Sequence, residues 1–264
     1  MITSWCAARV DTGGPLSNRP GRRLPVALTW ILLAAWVYSW PKAAASQSGE
    51  WSVALVDEPN GIVVDTRVRA DGYTEFRGMM TVQSRLTGVV ALLRDVPHMS
   101  QWVYRTRAAR ILDVVNEREL VIHSVARAIW PLNDRDLVVR TRLAQDPETL
   151  VVRIDGQALP DHPEPTHGRV RVPLLQSTWI LTPVDAGQVK IEFQGFGDGG
   201  GNLSSPILNW FTQRVIIEAP HQTLIGLRST IIREPYQSAR LAFIREPDAS
   251  NHPGGLQTGR KPTG

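Results

Sequence analysis

Residues Trp130 to Arg140 read WPLNDRDLVVR, a proline-containing turn whose Arg135-Asp136 pair runs directly into an apolar segment. Successive side chains of a strand point to opposite faces, so Leu137, Val139, Thr141 and Leu143 share one face and Val138, Arg140 and Arg142 the other. A charged pair at the start of such a strand has two available roles. It fixes the turn, or it carries charge to a buried site, and the surrounding sequence has to distinguish the two.

Downstream and just upstream of this stretch the same alternation recurs. Strands are predicted over about Ile111 to Val115, Glu119 to Ile129, Leu137 to Leu143, Thr149 to Gln157, Val170 to Thr182 and Gln188 to Phe196. The intervening turns, such as Asn116-Glu117, Asp146-Pro147 and Asp185-Ala186-Gly187, are short, which predicts an antiparallel meander. Further upstream, Ile62 to Arg69 and Tyr73 to Ser84 flank Ala70-Asp71-Gly72 as a hairpin. Leu86, Val89, Val90 and Leu93 repeat at helical spacing up to Pro97, which opens a second short helical turn. At the other end, Ser204 to Glu234 reads as one long amphipathic helix capped by Ser205, with Pro206 at its first position and Pro220 expected to kink or interrupt it. One antiparallel sheet with a long C-terminal helix is an α+β fold. If the sheet curves, the apolar faces carrying Val189, Ile191 and Phe193 and Leu137 to Leu143 enclose a cavity suited to an apolar ligand.

The ends of the chain have a different character. Arg19, Arg22 and Arg23 precede the apolar run Leu24 to Trp40, and Ala43-x-Ala45 follows, the pattern of a signal peptide over residues 1–45. The expected location is therefore periplasmic or secreted, with an uncleaved N-terminal anchor as the alternative. That segment holds five of the 29 basic and one of the 25 acidic residues, so the remainder carries 24 of each and gives no support to a nucleic-acid partner. Cys6, the sole cysteine, also lies there, which excludes disulfides and thiol chemistry from the rest. Residues 46–244 make one domain, expected to be monomeric, and the Pro- and Gly-rich segment 245–264 is expected to be a disordered tail.

WPLNDRDLVVR resembles the proline, Arg-Asp and hydrophobic sequence of START domains, the steroidogenic-acute-regulatory-protein-related lipid-transfer family. Three further landmarks are similar and stand in the same order: Trp102 before the strand near Ile111, STWILTPVD at Ser177 to Asp185, and GFGDGGGNLSSPILNWF leading into the last helix. The resemblance implies a helix-grip fold, a curved sheet around the long C-terminal helix, holding one lipid or sterol in an internal tunnel and touching membranes transiently. It also implies that Arg135 anchors a ligand head group beside a carboxylate. Several family members carry an acidic residue six positions after the short-helix Trp, where this chain has Ala108, which leaves Asp134, Asp136 or Glu75 as partners.

The implied ligand-binding set is Trp102, then Ile122 and Ser124, then Arg135, Leu137, Val139 and Thr141. Trp179, Ile191 and Phe193 join it from the later strands, and Trp210, Phe211 and Leu224 from the last helix. No catalytic residue, metal ligand or cofactor site stands out. DHPEPTH at Asp161 to His167 is read as a solvated loop rather than a metal site, and His123, opposite Ile122 and Ser124 in alternation, as a surface or rim residue. GFGDGG formally matches a dinucleotide fingerprint, but no βαβ unit follows it, so it is read as a flexible turn. Binding of a lipid, sterol or other apolar ligand is the leading function. An aromatase- or cyclase-like enzyme using the same cavity is the alternative.

Overall fold

The computed structural model describes residues 49–185, 187–201 and 206–247, with side chains in the last helix described from residue 214 onward. The expected signal peptide, the candidate helix cap Ser205 and residues 248–264 of the expected tail lie outside the described residues. The chain order is β1 (Ser52–Asp57), β2 (Ile62–Val68), β3 (Thr74–Gln83), α1 (Leu86–Arg94) and a 3₁₀ helix (Val96–Gln101). There follow β4 (Thr106–Asn116), β5 (Glu119–Ala126), β6 (Arg135–Gln145), β7 (Val152–Ala158), β8 (Val170–Arg171), β9 (Leu174–Asp185), β10 (Gln188–Asp198), α2 (Pro206–Ile231) and α3 (Glu234–Gln237).

Ten strands form one curved sheet, nine of them antiparallel neighbours in the order β1-β2-β3-β10-β9-β7-β6-β5-β4 and the short β8 paired with β6. The N-terminal hairpin thus closes onto β10, the last strand, while the chain between them zigzags across the sheet. Three features depart from the sequence expectation. Strand β1 was not anticipated, because Val53 and Val56 are both exposed and its alternation carries no clear apolar face. Strand β4 starts at Thr106, five residues before the expected Ile111, and is mostly exposed, as suits a sheet edge. The single strand expected from Val170 to Thr182 is two: β8 runs parallel to β6, pairing Val170 with Arg135, and β9 begins only after Pro173. Proline has no donor for a ladder bond, so the chain changes partner there.

Helix α2 lies against β2 and β3. Leu224, Leu227 and Ile231 are fully buried, each contributing about 1.5–3 kcal/mol by leaving water. Two glycines set how closely the helix docks. A Cβ on Gly78 of β3 would lie 2.8 Å from Leu224 Cδ1 and 3.2 Å from Pro220 Cβ, and one on Gly226 would lie 2.2 Å from the Trp102 carbonyl oxygen. Pro220 does not interrupt the helix, which runs through it, and its ring sits over the bare Gly78 backbone. His221 Nε2 and Asp57 Oδ2, 2.7 Å apart, fasten the same helix to β1.

Residues 240–247 form a strap, so that Arg245 to Pro247, the first three residues of the expected tail, are held against the domain. Helix α1 has no side-chain cap from Arg85, its N-cap residue. Instead the Glu246 carboxylate accepts from Leu86 N at 3.1 Å and Thr87 N at 2.8 Å, occupying two of the donors a helix leaves unpaired at its start. Gln145 Nε2 donates to the Arg245 carbonyl at 2.8 Å, and Arg245 N donates back to Gln145 Oε1 at 2.9 Å. Polar bonds thus hold Arg245 and Glu246, in the part whose sparse apolar content argues against folding, while buried Ile244 with Leu241 and Phe243 packs the preceding residues onto the core.

Candidate ligand-binding cavity

A cavity of about 310 Å³, near the lower end for small-molecule sites, lies among β3 to β7, β9, β10, α1 and α2. Alternation builds its walls. On β5 the lining residues are Leu120, Ile122, Ser124 and Ala126, and on β6 they are Leu137, Val139, Thr141 and Leu143, facing one another across the ladder. From Leu120 to Ala126 is about 20 Å at the usual rise of a strand, so the space is elongated.

The opposite wall is aromatic. Trp179 and Phe193, cross-strand partners on β9 and β10, stack with ring centroids 4.0 Å apart and planes at 9°. Phe76 meets Phe193 edge-on at 5.0 Å and Trp102 meets Trp179 at 6.3 Å, so four rings form a continuous rigid surface. The Trp102 indole N–H is buried and has no hydrogen-bond partner among the described residues, leaving a spare donor on a lining residue. Thr106, Thr141, Ser177 and Thr223 add hydroxyls.

Of the residues singled out from sequence, Trp102, Ile122, Ser124, Leu137, Val139, Thr141, Trp179 and Phe193 lie on this cavity. Ile191 and Leu224 do not. Both are completely enclosed by core side chains, Ile191 beside Met80 and Leu181 in the ladder and Leu224 pressed onto Gly78. Trp210 and Phe211 fall outside the described side chains.

Arg135 is also absent from the lining, for a clear reason. It is the first residue of β6, and its side chain turns to the end of the sheet, where Nε donates to the Gly199 carbonyl at 2.9 Å and Nη2 to that of Gly200 at 3.3 Å. Its remaining contact is to the Asn133 carbonyl. The guanidinium thus clamps the glycine turn after β10 and needs no carboxylate. Partial burial draws its pKa below the usual arginine value.

The neighbouring acids complete the answer to the charged pair. Asp134 Oδ1 accepts from Ala128 N at 3.1 Å, tying the 127–134 loop back on itself. Asp136 faces away from the cavity and is wholly buried, bonded by His123 Nε2 at 2.8 Å and Arg171 Nε at 2.6 Å, with Arg169 Nε at 3.3 Å. Burial alone would raise the Asp136 pKa, but the hydrogen bonds from His123 and Arg171 outweigh it and hold the carboxyl below its ordinary value. Arg171 also donates to the carbonyls of Pro160, His162 and Glu164, so the DHPEPTH segment is strapped onto the outer face of β5 and β6. That covering is why His123, expected at the surface or rim, is buried. Among the described residues no cluster of three or more His, Cys, Asp or Glu could hold a metal ion.

The lining residues that the sequence reading does not single out include Phe76, Tyr104, Ser177 and Thr223 and, the charged ones among them, Arg94 at the end of α1 and Arg118 in the β4–β5 turn. Arg94 follows Val90 by four positions and so continues the apolar stripe of its helix, a signal that could have flagged it. For Arg118 the sequence offers none.

A family model for the START domain matches residues 38–229. A STAR-related lipid transfer protein from Xanthomonas axonopodis has a crystal structure 30% identical to this chain, covering 69% of this chain and 99% of that one, with a TM-score of 0.61. An uncharacterized protein of Pseudomonas aeruginosa is 26% identical over 202 residues, 76% of this chain and 96% of that protein. Human StAR-related lipid transfer protein 5 matches at a TM-score of 0.57 with 16% identity over 77% of this chain and 96% of that one, a likeness of fold alone.

Proposed function

This chain belongs to the START domain family, whose domains bind lipids or other hydrophobic ligands, and from that premise we propose that it carries a single lipid, sterol or similar apolar molecule between membranes. The observation that supports this best is the elongated cavity with its four-ring wall, a preformed apolar surface that a flexible ligand covers without ordering the protein. The described lining residues supply hydroxyls and two arginines but neither a carboxylate nor a histidine, which favours carriage over turnover by an aromatase- or cyclase-like mechanism.

Transfer requires contact with a membrane, and the 127–134 loop beside the Ala126 end of the cavity suits it. Trp130 is 88% exposed there, with Arg127 and Arg107 exposed nearby, the pairing of an interfacial ring with cations that favours an anionic lipid surface. We take the protein to act as an exported monomer, in keeping with its basic, apolar N-terminal segment.

Native mass spectrometry of the protein purified from its own host tests the reading. A lipid or sterol released on denaturation is the expected result. A protein that emerges empty and takes up no offered lipid would overturn it, and a co-purified molecule altered on incubation would favour the enzymatic alternative.

A further inference from the structure

The cavity has unlike ends. Toward Thr106, Ala126, Leu137 and Leu175 it is uncharged, while toward Leu93, Leu120, Thr141 and Leu143 its lining includes Arg94 and Arg118. The strap covers this second end, and the Phe243 ring lies 5.4 Å from the Arg94 guanidinium and 5.9 Å from that of Arg118.

The two arginines hold unused donors. A guanidinium offers five N–H groups. Arg135 and Arg171 spend theirs on backbone carbonyls and, for Arg171, on Asp136. By contrast, the Arg118 guanidinium makes one hydrogen bond among the described residues, from Nη2 to the Phe243 carbonyl at 3.0 Å. Its nearest carboxylate, Glu117, stands 3.7 Å from Nε, and with the Arg118 side chain 42% and the Glu117 side chain 63% exposed the two make a weak pair. Arg94 makes no hydrogen bond or ion pair among the described residues beyond its approach to Phe243. Burial draws its pKa down, opposed only by the charge of Glu117. As the basic residue in the last turn of α1, Arg94 suits the helix dipole, but that role occupies none of its donors.

Resting on the reading of the cavity as a lipid site, we propose that Arg94 and Arg118 form its head-group subsite, selecting an amphiphile with an anionic carboxylate or phosphate head. The apolar chain then lies along β5 toward Ala126, against the ring wall. Two forks able to bind an anion bidentately at one end of an otherwise apolar tunnel fix the ligand's direction as well as its charge.

The test compares binding of oleate, oleoyl lysophosphatidate and oleyl alcohol to the intact protein. The anions are expected to bind at least about tenfold tighter than the alcohol, the worth of one charge-assisted hydrogen bond. Whichever anion binds tighter identifies the head as carboxylate or phosphate. Arg94→Gln should bring the anion-to-alcohol ratio close to one, Arg94→Lys should keep part of it, and Arg135→Gln should leave it unchanged. Arg118→Gln should act like Arg94→Gln, but because it also releases Phe243 its thermal unfolding is followed in parallel, and the Arg94 variants decide if it fails to fold. An alcohol that binds as tightly as both anions, or a ratio that survives Arg94→Gln, overturns the proposal while leaving the lipid site standing. If none of the three binds, the lipid site itself falls and the head-group subsite with it.

Discussion

Around Asp136 and Leu137 the two faces of β5 and β6 are both largely covered, yet they are built on opposite plans. The outer face carries His123 and Asp136 under the 159–172 crossover, and every donor aimed at the Asp136 carboxylate comes from this chain. On the inner face lie Ile122, Ser124, Leu137 and Val139, and around them a Trp102 N–H and two arginines whose donors are unused or underused among the described residues. A saturated polar knot has nothing left to offer a ligand, whereas the incomplete face has both space and donors. Burial therefore does not distinguish structure from function here. Remaining hydrogen-bonding capacity does.

The largest expected effect comes from breaking the saturated face. Asp136→Asn leaves Arg171 and Arg169 without their anion, and stability measured by urea unfolding should fall by about 3 kcal/mol or more. Because the folded-state pKa of Asp136 is lowered, its contribution is present above the unfolded value near 3.8 and fades as pH falls below it. The gap between wild type and variant should accordingly shrink in acid, and an equal gap at pH 7 and pH 3 would show that the carboxylate's charge is not what matters. Filling the incomplete face should do the reverse. Leu137→Trp is expected to cut lipid uptake by about tenfold or more, roughly 1.4 kcal/mol, with less effect on unfolding than Asp136→Asn. If uptake persists, the ligand does not occupy the Ala126 end.

Arg135→Ala probes the boundary between the faces. Losing its hold on Gly199 and Gly200 should cost about 1 kcal/mol and speed amide exchange in that turn, without altering ligand selection. Altered selection would restore Arg135 to the head-group role that the family resemblance implies. The smallest effect concerns Tyr236, another buried polar group with its partner in place. Burial, reinforced by its hydrogen bond to Asp95, raises the phenol pKa to about 12. Its contribution to stability is intact below pH 10 and should be lost as pH rises toward 12. Ultraviolet titration showing Tyr236 ionising near pH 10 would remove it from this class.

Alternation and turn chemistry made much of this readable in advance. Leu137, Val139, Thr141 and Phe193 were assigned to the cavity face because strand parity is a local property, and eight of the expected lining residues meet there. What covers a face is not local. Nothing near His123 announces that the chain returns some 40 residues later to bury it, just as nothing near Arg135 announces Gly199. The same limit applies to Leu224, whose helical spacing marks it as apolar but cannot say whether it meets ligand or the bare backbone of Gly78.

The Glu246 carboxylate that closes the start of α1 has a consequence for synthesis. Helix α1 emerges from the ribosome about 160 residues before the group that caps it. Until then its first amide groups face water, and the strap across the arginine end of the cavity does not exist. The last walls, on β9, β10 and α2, are themselves made shortly before the strap, so the chamber is sealed at that end by nearly the last part of the described chain to be made.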